Sequence, residues 1–213
     1  MGGQDGALGF GFTEVIPLAT DMTSALDQRT HRDEGRTLLF AGRLIRSKGC
    51  RWFIENVLPA LPEDVHLEVA GTFWDAEEKK ALTAPRVRYL GPLAPEALRR
   101  AYADADCVVV PNIPISGSGF EGFGLVAAEA AAAGGLVLAA AHAGLEEAVL
   151  DAKTGLKLPP GDADAWVKAI TEVLNWPEAR RRAFRERSVA VASRHFSWDR
   201  VAQSTFEAYG WSP

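Results

Sequence analysis

Two carboxylates, Glu121 and Glu129, stand in an E-x7-E arrangement within EGFGLVAAEA, where Gly122, Phe123, Gly124 and Leu125 fill the first half of the gap. Beyond Gly124 the residues are leucine, valine and alanine apart from Glu129, which is the pattern of a helix with a single acid in an apolar body. The glycines allow a ligand to approach the backbone closely, and a helix N-terminus beyond them offers unpaired N–H groups and partial positive charge to an anion. Acids on either side can accept hydrogen bonds from sugar hydroxyls, so the stretch fits a cradle for a phosphorylated sugar. A strand-to-helix turn with both glutamates in water accounts for the same residues.

Cations occur in AGRLIRSKGC, where Gly42 and Arg43 follow an apolar run and Lys48 precedes Gly49 at the start of the next helical pattern. A structural helix favours an acid at that position and a phosphate site favours a cation, although two solvated surface charges explain the pair equally. The segment contains neither G-x-G-x-x-G nor a Walker sequence, which argues against a dinucleotide fold and against a P-loop. AGTFWD and YLGPL, the latter with Tyr89 and Leu90, bring glycine and aromatic residues to two further turns, where a flat base could be held or where the rings could simply pack. PNIPISGSGF, a Ser/Gly-rich loop, runs directly into Glu121 and suggests closure over a ligand. In AHAGLEEAV, Gly144 and Glu147 follow another apolar run, with capping or surface exposure the simpler explanation for Glu146 and Glu147.

The elements that must position these groups alternate. Apolar, β-branched runs at 37–42, 65–71, 86–90, 106–111, 136–140 and 155–158 predict strands, and helical patterns at 49–61, 76–82, 95–103, 125–133 and 145–150 fall between them. Most of the strands are apolar on both faces, as in a parallel sheet covered by helices on each side, so the expected class is α/β with a doubly wound, six-stranded parallel sheet. Ligands in such sheets bind beyond the carboxyl ends of the strands, which is where every loop described above lies. After Gly161 the chain reads as helix throughout, with Asp162 as an N-cap, Pro177 opening a second helix and Ser197 capping a third that reaches about residue 209.

With 213 residues, 47% hydrophobic and 24% charged, the chain can bury a core of its own. A net charge of −5 disfavours general nucleic-acid affinity, so no nucleic-acid partner is expected and a bound anion must be held by local cations. No apolar run reaches the roughly 18–20 residues of a membrane span, and the first residues lack a secretory pattern, so a cytoplasmic location is expected. Cys50 and Cys107 sit in apolar surroundings without C-x-x-C spacing, and His31, His66, His142 and His195 are scattered; no metal site is expected.

AGRLIRSKG, VRYLGPL followed by LRRAYADADCVVVPN, FEGFGLVAAEAAAAG, and AGLEEAVLDAKTGLKLPPGDADAWVKAI occur in an order that closely resembles the C-terminal, donor-binding domain of retaining GT-B glycosyltransferases, and within them family 4. The resemblance runs from about residue 13 to 210, and TEVIPLATD resembles the segment leading into that domain. It implies a Rossmann-like domain over 37–196, a linker over 13–36, a C-terminal helix over 197–213, and a disordered or appended end over 1–12. Residue by residue, it implies that Arg43 and Lys48 neutralise a donor diphosphate beside Gly42, and that Glu121 contacts hydroxyls of the transferred sugar. Gly122, Phe123, Gly124 and Leu125 then form the phosphate-binding turn, Glu129 accepts from the ribose hydroxyls, and Tyr89 and Leu90 lie where the base is held. Catalysis would fall to Glu121, Arg43 and Lys48, without metal or cofactor, on a UDP- or GDP-linked hexose.

A complete enzyme of this type carries a second α/β domain that binds the acceptor, and this sequence has only about 36 residues before its first strand, so that domain is expected elsewhere in a longer protein or on a separate chain. Gly134 to Ala140 has leucine where the family has proline in a turn. Two other classes remain: a non-catalytic nucleotide-sugar-binding or interaction module, and a GT-B-related sugar-nucleotide epimerase, which the paired glutamates disfavour. The arginine-rich stretch ARRRAFRER could touch an anionic membrane surface peripherally, or be a solvated helix face.

Overall fold

A computed structural model of the chain describes residues 16–30, 36–73, 75–115 and 123–209. Six parallel strands, β1 (Arg36–Ala41), β2 (Val65–Ala70), β3 (Val87–Gly91), β4 (Cys107–Val110), β5 (Val137–Ala140) and β6 (Gly155–Leu158), form one sheet in the order β3-β2-β1-β4-β5-β6. β1 is central, with Leu38 opposite Leu67 on β2 and Cys107 on β4. The last four residues of β1, and all of β4 and β5, are buried, as continuously apolar strands between two helical layers must be.

Between the strands lie α1 (Cys50–Asn56), α2 (Ala76–Ala81), α3 (Pro95–Asp104), α4 (Leu125–Ala133) and α5 (Leu145–Ala148); α6 (Ala163–Leu174), α7 (Glu178–His195) and α8 (Trp198–Ala208) complete the chain. The expected doubly wound architecture is present, and local chemistry fixes the helix ends. Asp75, Asp162 and Ser197 each cap the following helix by accepting a backbone N–H, from Glu77, Ala165 and Arg200 respectively. The helix expected over 49–61 instead stops at Asn56 and continues as a separate 3-10 turn at Leu58–Ala60, because Pro59 has no N–H to extend it. β3 is displaced by one residue from its expected bounds, for a reason given with the site.

α4 is almost entirely alanine, and Ala127, Ala128 and Ala130 to Ala133 are all buried. Such small side chains let the helix lie close to the sheet and to α7. At its C-terminus Gly134 adopts the left-handed conformation (φ 100°), with Leu26 where a Cβ would stand. Residues 16–30 run as a strap along this helix: Thr20 N donates to Phe196 O (3.0 Å), beside Phe123 at the N-terminal end of α4, and Ala25 N to Ala133 O (2.9 Å) at its C-terminal end.

The strap, α3, α4, β4 and α7 converge on one side chain. Arg185, 3% exposed, donates to the carbonyls of Gly134 (2.7 Å), Ala105 (2.6 Å), Asp106 (3.0 Å) and Ala103 (3.3 Å). These carbonyls close α3 and α4 and open β4, so a guanidinium there meets the negative ends of two helices. Burial, with Arg29 nearby, pushes its pKa down to about 10, still well above neutrality. The other arginines of the 179–187 run are also engaged: Arg180 stacks on Trp176 (4.0 Å), Arg181 pairs with Asp106 and Glu178, Arg182 with Glu186, and Arg187 covers Phe184.

α8 has no buried residue; Arg200 ties its first turn to the carbonyls of His195 and Pro17, while Trp198 and Phe206 are exposed. No helix among the described residues is long and apolar enough to cross a membrane. Cys50 and Cys107 are free and buried, as their apolar neighbours predict, and burial raises both thiol pKa values, that of Cys107 to about 12.

Arg185→Met would keep the apolar stem and take the guanidinium from the carbonyls of Gly134, Ala105 and Asp106, while Ala103 O would still accept from Arg29 Nε (3.1 Å). A loss of about 3–5 kcal/mol of unfolding free energy is expected in urea denaturation; a loss below about 1 kcal/mol would mean that those carbonyls are served by other groups.

Candidate functional site

Strand order reverses between β1 and β4, which opens a crevice at the carboxyl ends of the two strands. The loops on its two sides are locked together by backbone. Ile113 N, after β4, donates to Ser47 O, after β1, at 3.0 Å. A Cβ on Gly49 would stand 2.0 Å from Pro111 O, and Gly49 is left-handed (φ 72°), so only glycine fits. On the other side, Gly42 N donates to Ala70 O, Leu44 N donates to Thr72 O, and a Cβ on Gly71 would stand 1.8 Å from Gly42 O.

Arg43 projects from this braced loop, exposed and with no ion pair among the described residues. Lys48 ends the 3-10 turn Arg46–Lys48 and is partly buried. The far end of the loop is anchored by Glu78, a buried α2 carboxylate that accepts from Arg51 N in the first turn of α1 (3.3 Å); burial raises its pKa. Nothing in the sequence separated Glu78 from its exposed neighbour Glu77.

Across the crevice, Gly124 is left-handed (φ 78°), and Leu145 occupies the space of its missing Cβ at 2.5 Å. Phe123 is buried edge-on against Phe196, with centroids 6.0 Å apart, which fixes the approach to the helix. α4 has no side-chain cap from its N-cap Gly124; Ala127 N donates to Gly124 O (2.9 Å), and the N–H groups of Leu125 and Val126 have no partner among the described residues. Leu125 at its head is exposed. Glu121 and Gly122 lie outside the described residues. One turn into α4, Glu129 is partly buried and accepts from the Tyr102 hydroxyl at 3.5 Å; burial raises its pKa and this hydrogen bond opposes the rise.

At the third loop the β2–β3 register slips, pairing Val69 with Tyr89 but Ala70 with Gly91, so Leu90 is the unpaired residue of a bulge. The extra residue carries β3 on to Gly91, and the start of the strand moves to Val87 because Arg86 is left-handed (φ 64°). The Tyr89 hydroxyl donates to Gly71 O (2.7 Å) and its ring lies beside Phe73, which also carries the Lys79 ammonium over its face (5.1 Å). Leu90 instead lines a hollow on the α3 side with Arg88, Leu93 and Ala97. The side chains of Tyr89 and Leu90 therefore share no wall, and what both can offer one ligand is backbone. Phe73 was not singled out from sequence beyond its place among the aromatics of AGTFWD. Among the described residues no three His, Cys, Asp or Glu side chains are grouped to hold a metal ion.

The family model "Glycosyl transferases group 1" matches residues 35–175. The chain is 34% identical over 208 residues to the D-inositol 3-phosphate glycosyltransferase of Xylanimonas cellulosilytica, covering 93% of this chain and 48% of that protein. The sucrose-phosphate synthase of Thermosynechococcus elongatus superposes with a TM-score of 0.76 at 28% identity, over 93% of this chain and 52% of that one. Anabaena HepE, crystallised with UDP and glucose, shares the fold at 23% identity and a TM-score of 0.69, over 83% of this chain and 48% of that one. The chain thus spans about half the length of these proteins.

Gly49 and Gly161 have nearly the same φ, 72° and 74°, but only Gly49 faces backbone; nothing lies within 4 Å of a Cβ on Gly161. Gly161→Ala should cost the left-handed strain alone, about 1–2 kcal/mol in thermal or urea unfolding. Gly49→Ala should cost about 1–3 kcal/mol beyond that, because the two loops must part. Equal losses would show that the crevice does not depend on this contact.

Proposed function

The chain belongs to the group 1 glycosyl transferases, and from that premise we propose that it is the nucleotide-sugar-binding half of a retaining glycosyltransferase that moves a hexosyl group to a hydroxyl acceptor. One observation carries the proposal. Two loops are locked backbone to backbone at the sheet reversal, one bearing Lys48 and an exposed Arg43 that has no ion pair among the described residues, the other leading to the N-terminus of α4, which no side chain among the described residues caps. In this assignment Arg43, Lys48 and the N–H groups of Gly124 and Leu125 hold the diphosphate, and Glu129 accepts from the ribose. Glu121 contacts the sugar, while the backbone around the Leu90 bulge meets the base.

As the bond from the anomeric carbon to the diphosphate oxygen breaks, negative charge grows on the leaving group. Fixed cations and a helix N-terminus stabilise that charge without reorganising, so the chemistry needs no metal. The acceptor oxygen bonds to the same face of the sugar, and its proton passes to the departing phosphate. The UDP and glucose bound by Anabaena HepE make a UDP-hexose the first donor to test.

Residues 37–196 are assigned to donor binding, with 13–36 and 197–213 as its lead-in segment and C-terminal helix. Acceptor binding is assigned to a second domain, in the length of its relatives that this chain does not span or on another polypeptide. A cytoplasmic site of action fits the two unpaired thiols. Because the arginines of α7 are engaged within the domain, membrane contact through that helix has no observation in its favour.

Calorimetric titration with UDP-, GDP- and ADP-sugars, with and without Mg²⁺, tests the donor site. Arg43→Ala and Lys48→Ala should each weaken binding by about 1.5–3 kcal/mol in the absence of Mg²⁺. Glu129→Ala should weaken the free nucleoside diphosphate and the nucleotide-sugar alike, whereas Glu121→Ala should act mainly on the nucleotide-sugar. Binding that requires Mg²⁺ and ignores both cation substitutions would overturn the site.

A further inference from the structure

Glu129 is the one charged residue of α4, set among buried alanines. Its only side-chain hydrogen bond among the described residues comes from the hydroxyl of Tyr102, in the last turn of α3. Tyr102 has no solvent exposure, and its hydroxyl has no other partner among the described residues. Among the described residues the buried hydroxyl therefore depends on Glu129, which is itself only partly buried. An ionised carboxylate has about four acceptor positions, and an acid held for structure alone is served by several donors. Here one donor at 3.5 Å serves one oxygen, so most of that capacity is unserved by the described residues.

We propose that Tyr102 is a positioning residue for the nucleoside: it holds the Glu129 carboxylate from the buried side, in one rotamer, and leaves its remaining acceptor positions to the vicinal diol of the ribose. The proposal rests on the assignment of Glu129 to the ribose given above. The side-chain tilt of helical residues toward the N-terminus carries the phenol from the end of α3 up toward the middle of α4, where Glu129 stands. A hydroxyl donor favours the charged carboxylate, which is the form that accepts from both hydroxyls of a diol. Burial and Tyr102 are the two influences that set the titration of Glu129, and they act in opposite directions.

Tyr102→Phe removes the hydroxyl and keeps the ring that fills the core. Titrations of this variant, Glu129→Gln and the double variant with UDP and GDP, and with their 2′,3′-dideoxy analogues, read the effect. Tyr102→Phe should weaken the ribonucleotide that binds by about fivefold to tenfold, leave the dideoxy analogue unchanged, and add little to Glu129→Gln in the double variant. In ¹³C NMR the Glu129 carboxyl of the unliganded Tyr102→Phe protein should titrate at higher pH than in the parent. If Glu129→Gln weakens the ribonucleotide selectively while Tyr102→Phe does not, the role of Tyr102 is overturned and the ribose assignment stands. If Glu129→Gln does not distinguish the ribonucleotide from its dideoxy analogue, the ribose assignment fails and takes the inference with it. Equal weakening of both ligands by Tyr102→Phe, or an unchanged Glu129 midpoint, would mark Tyr102 as packing only.

Discussion

The contact on which the site depends is made by backbone alone: the Pro111 carbonyl occupies the volume that any side chain at residue 49 would need. A parallel sheet that reverses its winding leaves a crevice between the two central strands, but topology does not set its width. Here the width is set by the Gly49–Pro111 approach and by the Ile113–Ser47 hydrogen bond, with Gly42 and Gly71 setting the neighbouring gap in the same way. Cations on one rim and helix donors on the other can act on a single anion only if the rims are held at a fixed separation. Electrostatic stabilisation of developing charge has the same requirement, since groups that must first move into place lose much of their benefit.

The opposite edge of the sheet is built on a different economy. At the crevice edge Arg43 has no ion pair among the described residues, whereas at the other edge Arg185 gathers the terminal carbonyls of two helices and a strand entry into one set of hydrogen bonds. Alanine after alanine in α4 makes this possible, because short side chains bring α7 near enough for one guanidinium to reach Gly134 and Ala105 together. The helix that presents its N-terminus at the site is thus fixed at its C-terminus, well away from any ligand.

Most of the architecture was legible because burial and helix capping are local signals. The alternation of apolar runs and helical patterns reproduced the sheet, and α4 lies over the expected 125–133. Asp162, Pro177 and Ser197 marked the C-terminal helices because a cap works through residues adjacent in sequence. What escaped were features that exist only between segments. The bulge at Leu90 depends on the register of β2, so YLGPL alone could not show that Tyr89 and Leu90 face different ways. Tyr102 reads as an ordinary core aromatic until α3 is laid beside α4, and Glu78 looks like any charge of an exposed helix until α1 presents its first turn to it. The partners of the arginine run were equally out of view, since Asp106 and Trp176 lie outside the stretch.

The two cysteines have a practical consequence. Both are enclosed, and burial keeps the Cys50 and Cys107 thiols protonated at any pH at which the fold would ordinarily be handled. Because these are the only cysteines in the chain, maleimide reagents applied to the native protein should find no competing thiolate. A single cysteine placed beside Arg43 and another on α8 could therefore carry a fluorophore or spin label without a cysteine-free background. The core's own chemical silence makes this domain a ready spectroscopic ruler for any movement between the crevice and the C-terminal helix.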